Sequence, residues 1–148
     1  MGNPVRLGLV LGAAFLAGCG GPGRSRTAAV SGRVTLDGEP LAGARVSFYP
    51  IHDPRSGSQS GPEAHGETDA EGRYALTTVF GARGATVGPN RVMISTRKTR
   101  PNPNDPDAAH RVVVPERVPK RYFTDQAALR LDVPAEGTRT ADFNLRSQ

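Results

Sequence analysis

The sequence predicts an all-β fold, a sandwich of about seven antiparallel strands. Three observations carry this: short segments that alternate apolar and polar residues with period two, turn chemistry recurring about every eight to twelve residues, and no sustained apolar i, i+3, i+4, i+7 pattern. The best helical window, "FTDQAALR", amounts to one or two turns. Aromatic residues make up only 5% of the chain and tryptophan is absent, so aliphatic side chains must carry most of the core.

Residues 1–18 read as an export signal. Arg6 supplies a positive start and "LGLVLGAAFLAG" an apolar run, shorter than the roughly 20 residues a membrane-spanning helix needs. Small residues then lead to Cys19, the single cysteine, which can form neither an intrachain disulfide nor a four-thiolate site. Leu16, Ala17, Gly18 and Cys19 resemble the lipobox of bacterial lipoproteins. The resemblance implies cleavage before Cys19, a diacylglyceryl group on Cys19 and an acylated first residue. One acyl chain, at about 0.8 kcal/mol per buried methylene, holds a protein only marginally, whereas two or three hold it stably. Gly20, where enteric retention signals place aspartate, points to the outer membrane.

Residues 19–28, with "GGPGRSRTA" after the cysteine, have the composition of a flexible tether, and one domain follows over 29–148. "VSGRVTL" places Val30, Gly32, Val34 and Leu36 on one face of a strand. Asp37-Gly38 and Pro40 then supply turn geometry. "ARVSFYP" puts Ala44, Val46 and Phe48 inward and Arg45, Ser47 and Tyr49 outward. "IHDPRSGSQSGPEA" reads as a long exposed loop.

A short strand at "HGET", a turn at "DAEG" and a strand at "RYALTTV" predict a hairpin. Asp69 accepts backbone N–H bonds in its turn, Gly72 takes a positive φ, and Tyr74 and Leu76 share a face. A glycine-rich connection leads to "RVMISTR", with Val92 and Ile94 inward and Arg91, Met93, Ser95 and Arg97 outward. From Thr99 to Lys120 prolines dominate, with an edge strand expected around Val112–Val114. "LRLDV" and "ADFNL" close the chain, directing Leu129, Leu131, Val133, Ala141, Phe143 and Leu145 inward.

Two stretches carry a further resemblance. Gly32, Val34, Gly38, Pro40, Leu41, Gly43, Ala44 and Val46, followed by Thr68, Asp69, Gly72 and Tyr74, resemble the carboxypeptidase regulatory-like domain over roughly residues 28–98. That resemblance implies a transthyretin-like Greek-key sandwich. Pro119, Lys120, Arg121 and Tyr122, before two strands, are similar to the closing segment of planctomycete-type lipoproteins built on this domain. Such domains are named for their place beside a peptidase, so the fold itself assigns no activity.

Chemistry is read residue by residue. The transthyretin-like 5-hydroxyisourate hydrolases end in Tyr-Arg-Gly-Ser, whereas this chain ends "NLRSQ" and its last tyrosine is Tyr122. His52, His65 and His110, with Asp53, Asp69, Asp105 and Asp107, show no metal-ligand spacing. "RSGSQSG" lacks the strand-to-helix context of a serine nucleophile. Asn144 is placed for an isopeptide bond of the pilin type, but the first strand offers Arg33 and no lysine. No catalytic, metal or cofactor residue is assigned, and Cys19 is the one modification site.

The net charge is +5, carried by arginine apart from Lys98 and Lys120 and dispersed along the chain, a balance that favours anionic partners. An exported chain without a basic-aromatic stripe is not expected to bind nucleic acid. Outward Arg45, Tyr49, Arg91 and Arg97 are the residues a glycan or acidic-peptide surface would draw on. The expectation is a non-catalytic lipoprotein of the cell envelope, held to the membrane by lipid on Cys19. It would serve as an interaction, scaffolding or accessory module for an envelope protein, or alternatively as a carbohydrate-binding module for an envelope polysaccharide.

Overall fold

The computed structural model describes residues 25–52, 61–101, 103, 110–127 and 129–148. The signal, Cys19, most of the tether, the loop over 53–60, Asp105 and Asp107 lie outside the described residues.

The fold is all-β. Its strands are β1 (Thr27–Ala28), β2 (Ser31–Leu36), β3 (Glu39–Pro40), β4 (Arg45–Pro50), β5 (Ala64–Glu67), β6 (Arg73–Ala75), β7 (Thr77–Thr78), β8 (Ala85–Thr86), β9 (Gly88–Ser95), β10 (Lys98–Arg100), β11 (Arg111–Val114), β12 (Arg130–Val133) and β13 (Phe143–Leu145). One sheet has the order β12-β9-β4-β5-β7; a second has β13-β2-β3, with β6 also paired to β2. Two small antiparallel pairs, β1-β8 and β10-β11, complete it. β1 shows that strand pairing begins three residues before the alternation at Val30.

The alternation places the core as expected. Val30, Val34, Ala44, Val46, Phe48, Tyr74, Leu76, Val92, Ile94, Ala141, Phe143 and Leu145 are buried. Fully burying a large apolar side chain contributes about 1.5–3 kcal/mol, and Phe48 joins the two sheets by meeting Phe143 edge-on at 6.2 Å. Leu129 and Leu131, expected inward, are only partly buried, because β12 is the outer strand of its sheet.

The β2–β3 hairpin turns on Asp37 (φ 52) and Gly38 (φ 91), two positive-φ residues in succession, as the Asp-Gly pair predicts. The expected turn at 69–72 also forms. Asp69 Oδ1 accepts from the N–H groups of Glu71 and Arg73, and Gly72 N–H donates to the Asp69 carbonyl at 3.0 Å.

Beyond that turn the chain changes sheets rather than closing the predicted hairpin. β5 stays beside β4, whereas β6 pairs with β2. β7 then returns to β5. The last strand, β13, runs parallel to β2 with Phe143 opposite Val34. Around "FTDQAALR" the chain makes a 3-10 turn slightly earlier, Lys120–Tyr122, whose Arg121 and Tyr122 bind the backbone of residues 146 and 148.

Gly32, Thr68 and Tyr74 each tie neighbouring strands or turns together. A Cβ on Gly32 would stand 2.1 Å from the Ala141 carbonyl oxygen, so only glycine admits that approach. The Tyr74 hydroxyl donates to the same carbonyl at 2.6 Å. Thr68 accepts from the Ala44 N–H at 2.8 Å and donates to the Leu41 carbonyl at 2.5 Å, tying the turn over 41–44 to the end of β5.

Candidate functional site

The five-stranded sheet keeps one face on the core and turns the other outward. Because successive side chains of a strand point to opposite faces, burying Val46 and Phe48 forces Arg45, Ser47 and Tyr49 out. Register then sets their neighbours. Arg45 lies opposite Ser95 and Glu67, Ser47 opposite Met93 and His65, and Tyr49 opposite Arg91, which in turn faces Arg130. Arg45, Tyr49 and Arg91, singled out in the sequence, thus share one surface.

At one end of this face Arg91 covers Tyr49, its guanidinium carbon 5.5 Å from the ring centroid. Arg91 Nη1 also donates to the Asp125 carbonyl at 2.8 Å, which fixes the guanidinium in place. Tyr49, Pro50, Ile51, Arg91 and Arg130 line a depression of ≈ 280 Å³.

At the other end residues of the sheet and of the β10-β11 pair line a depression of ≈ 400 Å³, with Arg45, Arg97, Lys98 and Arg100 in its walls. Lys98 pairs with Glu67, both exposed enough for the pair to be screened by solvent. Among the described residues no carboxylate or carbonyl pairs with the side chains of Arg45, Arg97 or Arg100. Like charges held together raise the local concentration of anions. The cations that look dispersed in sequence are gathered here by register and by the hairpin.

Glu116 sets the hairpin's position, and sequence reasoning did not find it. Its carboxylate accepts from the Ser95 hydroxyl, from the Thr96 N–H and hydroxyl at 2.9 Å each, and from the Val118 N–H at 3.0 Å. Burial would push its pKa up. Hydrogen bonds from Ser95, Thr96 and Val118 more than offset that and hold it below the ordinary carboxylate value. Arg117 adds a bond to the Ala42 carbonyl at 3.0 Å. The only sequence signal was a lone acid among prolines, "PERVP". Lys98, Arg100 and Arg130 were likewise missed, although "RKTR" is a local basic run.

A larger depression, ≈ 580 Å³, lies against the second sheet and includes Arg33, Asp69, Arg73, Tyr74, Arg139 and Asp142. Its polar groups largely serve the fold. Asp142 accepts from the Arg33 N–H at 2.7 Å, Arg33 Nε donates to the Glu71 carbonyl at 2.8 Å, Asp69 caps its turn and Tyr74 binds the Ala141 carbonyl. The smaller basic depression has the more available chemistry despite its size.

The three histidines are not brought together in one site: His65 lies on β5 opposite Ser47, while His52 and His110 are exposed beside β4 and β11. Among the described residues no three His, Cys, Asp or Glu side chains are placed to hold a metal ion. Asn144 accepts from the Thr35 hydroxyl at 2.8 Å, its neighbour across the parallel pair. No protein-family model matches this chain, and no curated protein or solved structure matches it.

Proposed function

We propose that this chain is a non-catalytic lipoprotein of the cell envelope, anchored through lipid on Cys19, whose regulatory-like sandwich presents the outer face of its five-stranded sheet to an acidic partner. The observation that carries the partner class is the set of guanidinium groups on Arg45, Arg97 and Arg100 around one depression, with no carboxylate paired to them among the described residues. Arg91 and Arg130 extend the positive charge toward the other end of the same face. The lipobox residues Leu16 to Cys19 support the anchor. Support for a transthyretin-like arrangement comes from the motif residues Gly32, Thr68, Gly72 and Tyr74, which all serve turns or strand-to-strand contacts. A motif spent on scaffolding suits a display module better than an enzyme.

A carbohydrate partner is the second reading, favoured by Tyr49, whose partly exposed ring is held by Arg91 and offers a stacking surface beside a charged donor. Co-sedimentation of the full-length protein with an insoluble polyuronate and with a neutral glucan tests both. Binding to the polyuronate that weakens with salt and with Arg45→Glu supports an acidic partner. If Tyr49→Ala weakens it comparably, the partner is a glycan; equal binding to both polymers would contradict a charge-selective face. The anchor is tested by the mass of the N-terminal peptide, which should carry acylated Cys19.

A further inference from the structure

Among the described residues the most exposed aromatic side chain lies at the tip of a tight turn after β7. Phe80 is 85% exposed and its neighbour Val79 47%. Single apolar residues on a surface are ordinary; this pair differs in how it is held. Thr78 N–H donates to the Ala82 carbonyl at 2.8 Å, and Gly81 N–H to the Thr78 carbonyl at 2.9 Å. Ala82 N–H donates to the Thr78 hydroxyl at 3.0 Å, and Val79 N–H to the Glu63 carbonyl at 3.0 Å. These bonds brace a short turn that projects Phe80 outward.

The chain leading back to Cys19 leaves the domain at the same end. β1 pairs with β8, Val87 N–H donates to the Arg26 carbonyl at 2.8 Å, and a Cβ on Gly61 would meet both Thr86 and Ser25. The Thr86 hydroxyl binds the Pro62 carbonyl at 2.8 Å, and the next residue, Glu63, binds Val79. Two adjacent residues, Pro62 and Glu63, therefore touch the N-terminal exit on one side and the apolar tip on the other. From Cys19 to Ser25 the chain can extend roughly 20 Å at most, so an anchored domain reaches the bilayer but is not pressed onto it. Exposed Arg26 and Arg83 stand at this end with Glu63.

We propose that the Val79–Phe80 tip enters the headgroup–acyl boundary of the membrane that carries the lipid on Cys19, and so sets the orientation of the domain. The inference rests on the anchor reading. It adds a shallow apolar contact to the acyl chains, and Arg26 and Arg83 lie where phosphate headgroups would meet them. The geometry has a consequence for the basic depression. β10 follows the far end of β9, eight residues from Gly88, so a domain standing on Phe80 holds Arg97 and Arg100 roughly 25 Å farther out. The basic depression then lies at the end of the face farther from the bilayer.

The chain has no tryptophan, so Phe80→Trp introduces a single fluorescent reporter at a solvent-exposed site. Val113→Trp, on the exposed side of β11, reports on the far end. The full-length variants, purified in detergent from producing cells, are reconstituted into phosphatidylcholine–phosphatidylglycerol vesicles with or without acyl-brominated lipid and then floated on a density gradient. Co-flotation, with brominated lipid quenching the Phe80→Trp variant by about half or more and leaving the Val113→Trp variant unchanged, is the expected result for an interfacial depth of about 5–10 Å. Co-flotation with no quenching at position 80, or equal quenching at both positions, overturns the proposed orientation while leaving the anchor intact. Failure to float overturns the anchor reading, and the orientation with it.

Discussion

Arg91 lies over the ring of Tyr49 from the directly opposite position on the neighbouring strand, with its guanidinium carbon 5.5 Å from the ring centroid. The pair preorganises both a cation and an aromatic surface at one end of the outer sheet face. At a partly exposed site such a contact is worth about 0.5–1 kcal/mol. A double-mutant cycle with Tyr49→Ala and Arg91→Ala, read by urea unfolding, should return a coupling of that size, and a zero coupling would mean the two merely lie side by side.

Glu116 makes stability depend on acid. Its folded pKa lies below the usual 4.5 because of hydrogen bonds from Ser95, Thr96 and Val118. The unfolded chain therefore binds a proton at a higher pH than the folded one. The contribution is fully present above the unfolded value and is lost as pH falls from there through the folded value. Unfolding midpoints measured from pH 7 down to pH 3 should drop, and Glu116→Gln should flatten part of that drop while lowering the plateau at pH 7. Asp37, lowered by its bonds to Ser147, supplies a separate acid-sensitive contact that the variant leaves in place.

Within the second sheet, β2, β6 and the lead-in to β13 meet at the Ala141 carbonyl, which Gly32 approaches and Tyr74 binds. Tyr74→Phe should cost about 1–3 kcal/mol, since it leaves a buried carbonyl without its donor. Gly32→Ala should cost more, because its Cβ would lie 2.1 Å from backbone that cannot swing aside. Thermal or urea melts rank the two; the reverse order would mean that β2 can move away from residue 141.

Phe48→Ala separates stability from binding. Phe48 is fully buried and touches Phe143, so its loss should cost about 3–5 kcal/mol. Arg97→Glu changes only an exposed side chain and should leave the unfolding midpoint nearly unchanged while weakening polyuronate binding. A large loss of stability in Arg97→Glu would assign that residue to the fold rather than to the surface.

Strand positions were legible in the sequence wherever one face is buried: alternation alone identifies Ala44, Val46 and Phe48, then Val92 and Ile94, then Ala141, Phe143 and Leu145. Local turn chemistry likewise marked Asp37-Gly38 and Asp69 to Gly72. Which strands pair was not legible, because period two says nothing about partners. The parallel pairing of Phe143 with Val34, and the passage of β6 to the other sheet, arise from long-range packing at Gly32 and Ala141. Half of the outer face was legible for the same reason the core was: Arg45, Tyr49, Arg91 and Arg97 are the complement of the buried positions. The gathering of Arg97, Lys98 and Arg100 around Arg45 depends on the hairpin and on Glu116, whose partners lie about twenty residues earlier in the chain.

The most direct test of the proposed working face is in-cell photocrosslinking of the full-length protein, with a photoreactive residue placed at Arg97 or, in the depression beside the second sheet, at Arg139. Capture of an acidic protein or polysaccharide from position 97, lost when Arg45→Glu is added and weak from position 139, is the expected result. Equal capture from both positions, or capture from position 97 that charge reversal leaves intact, would contradict the assignment of the outer sheet face to an acidic partner.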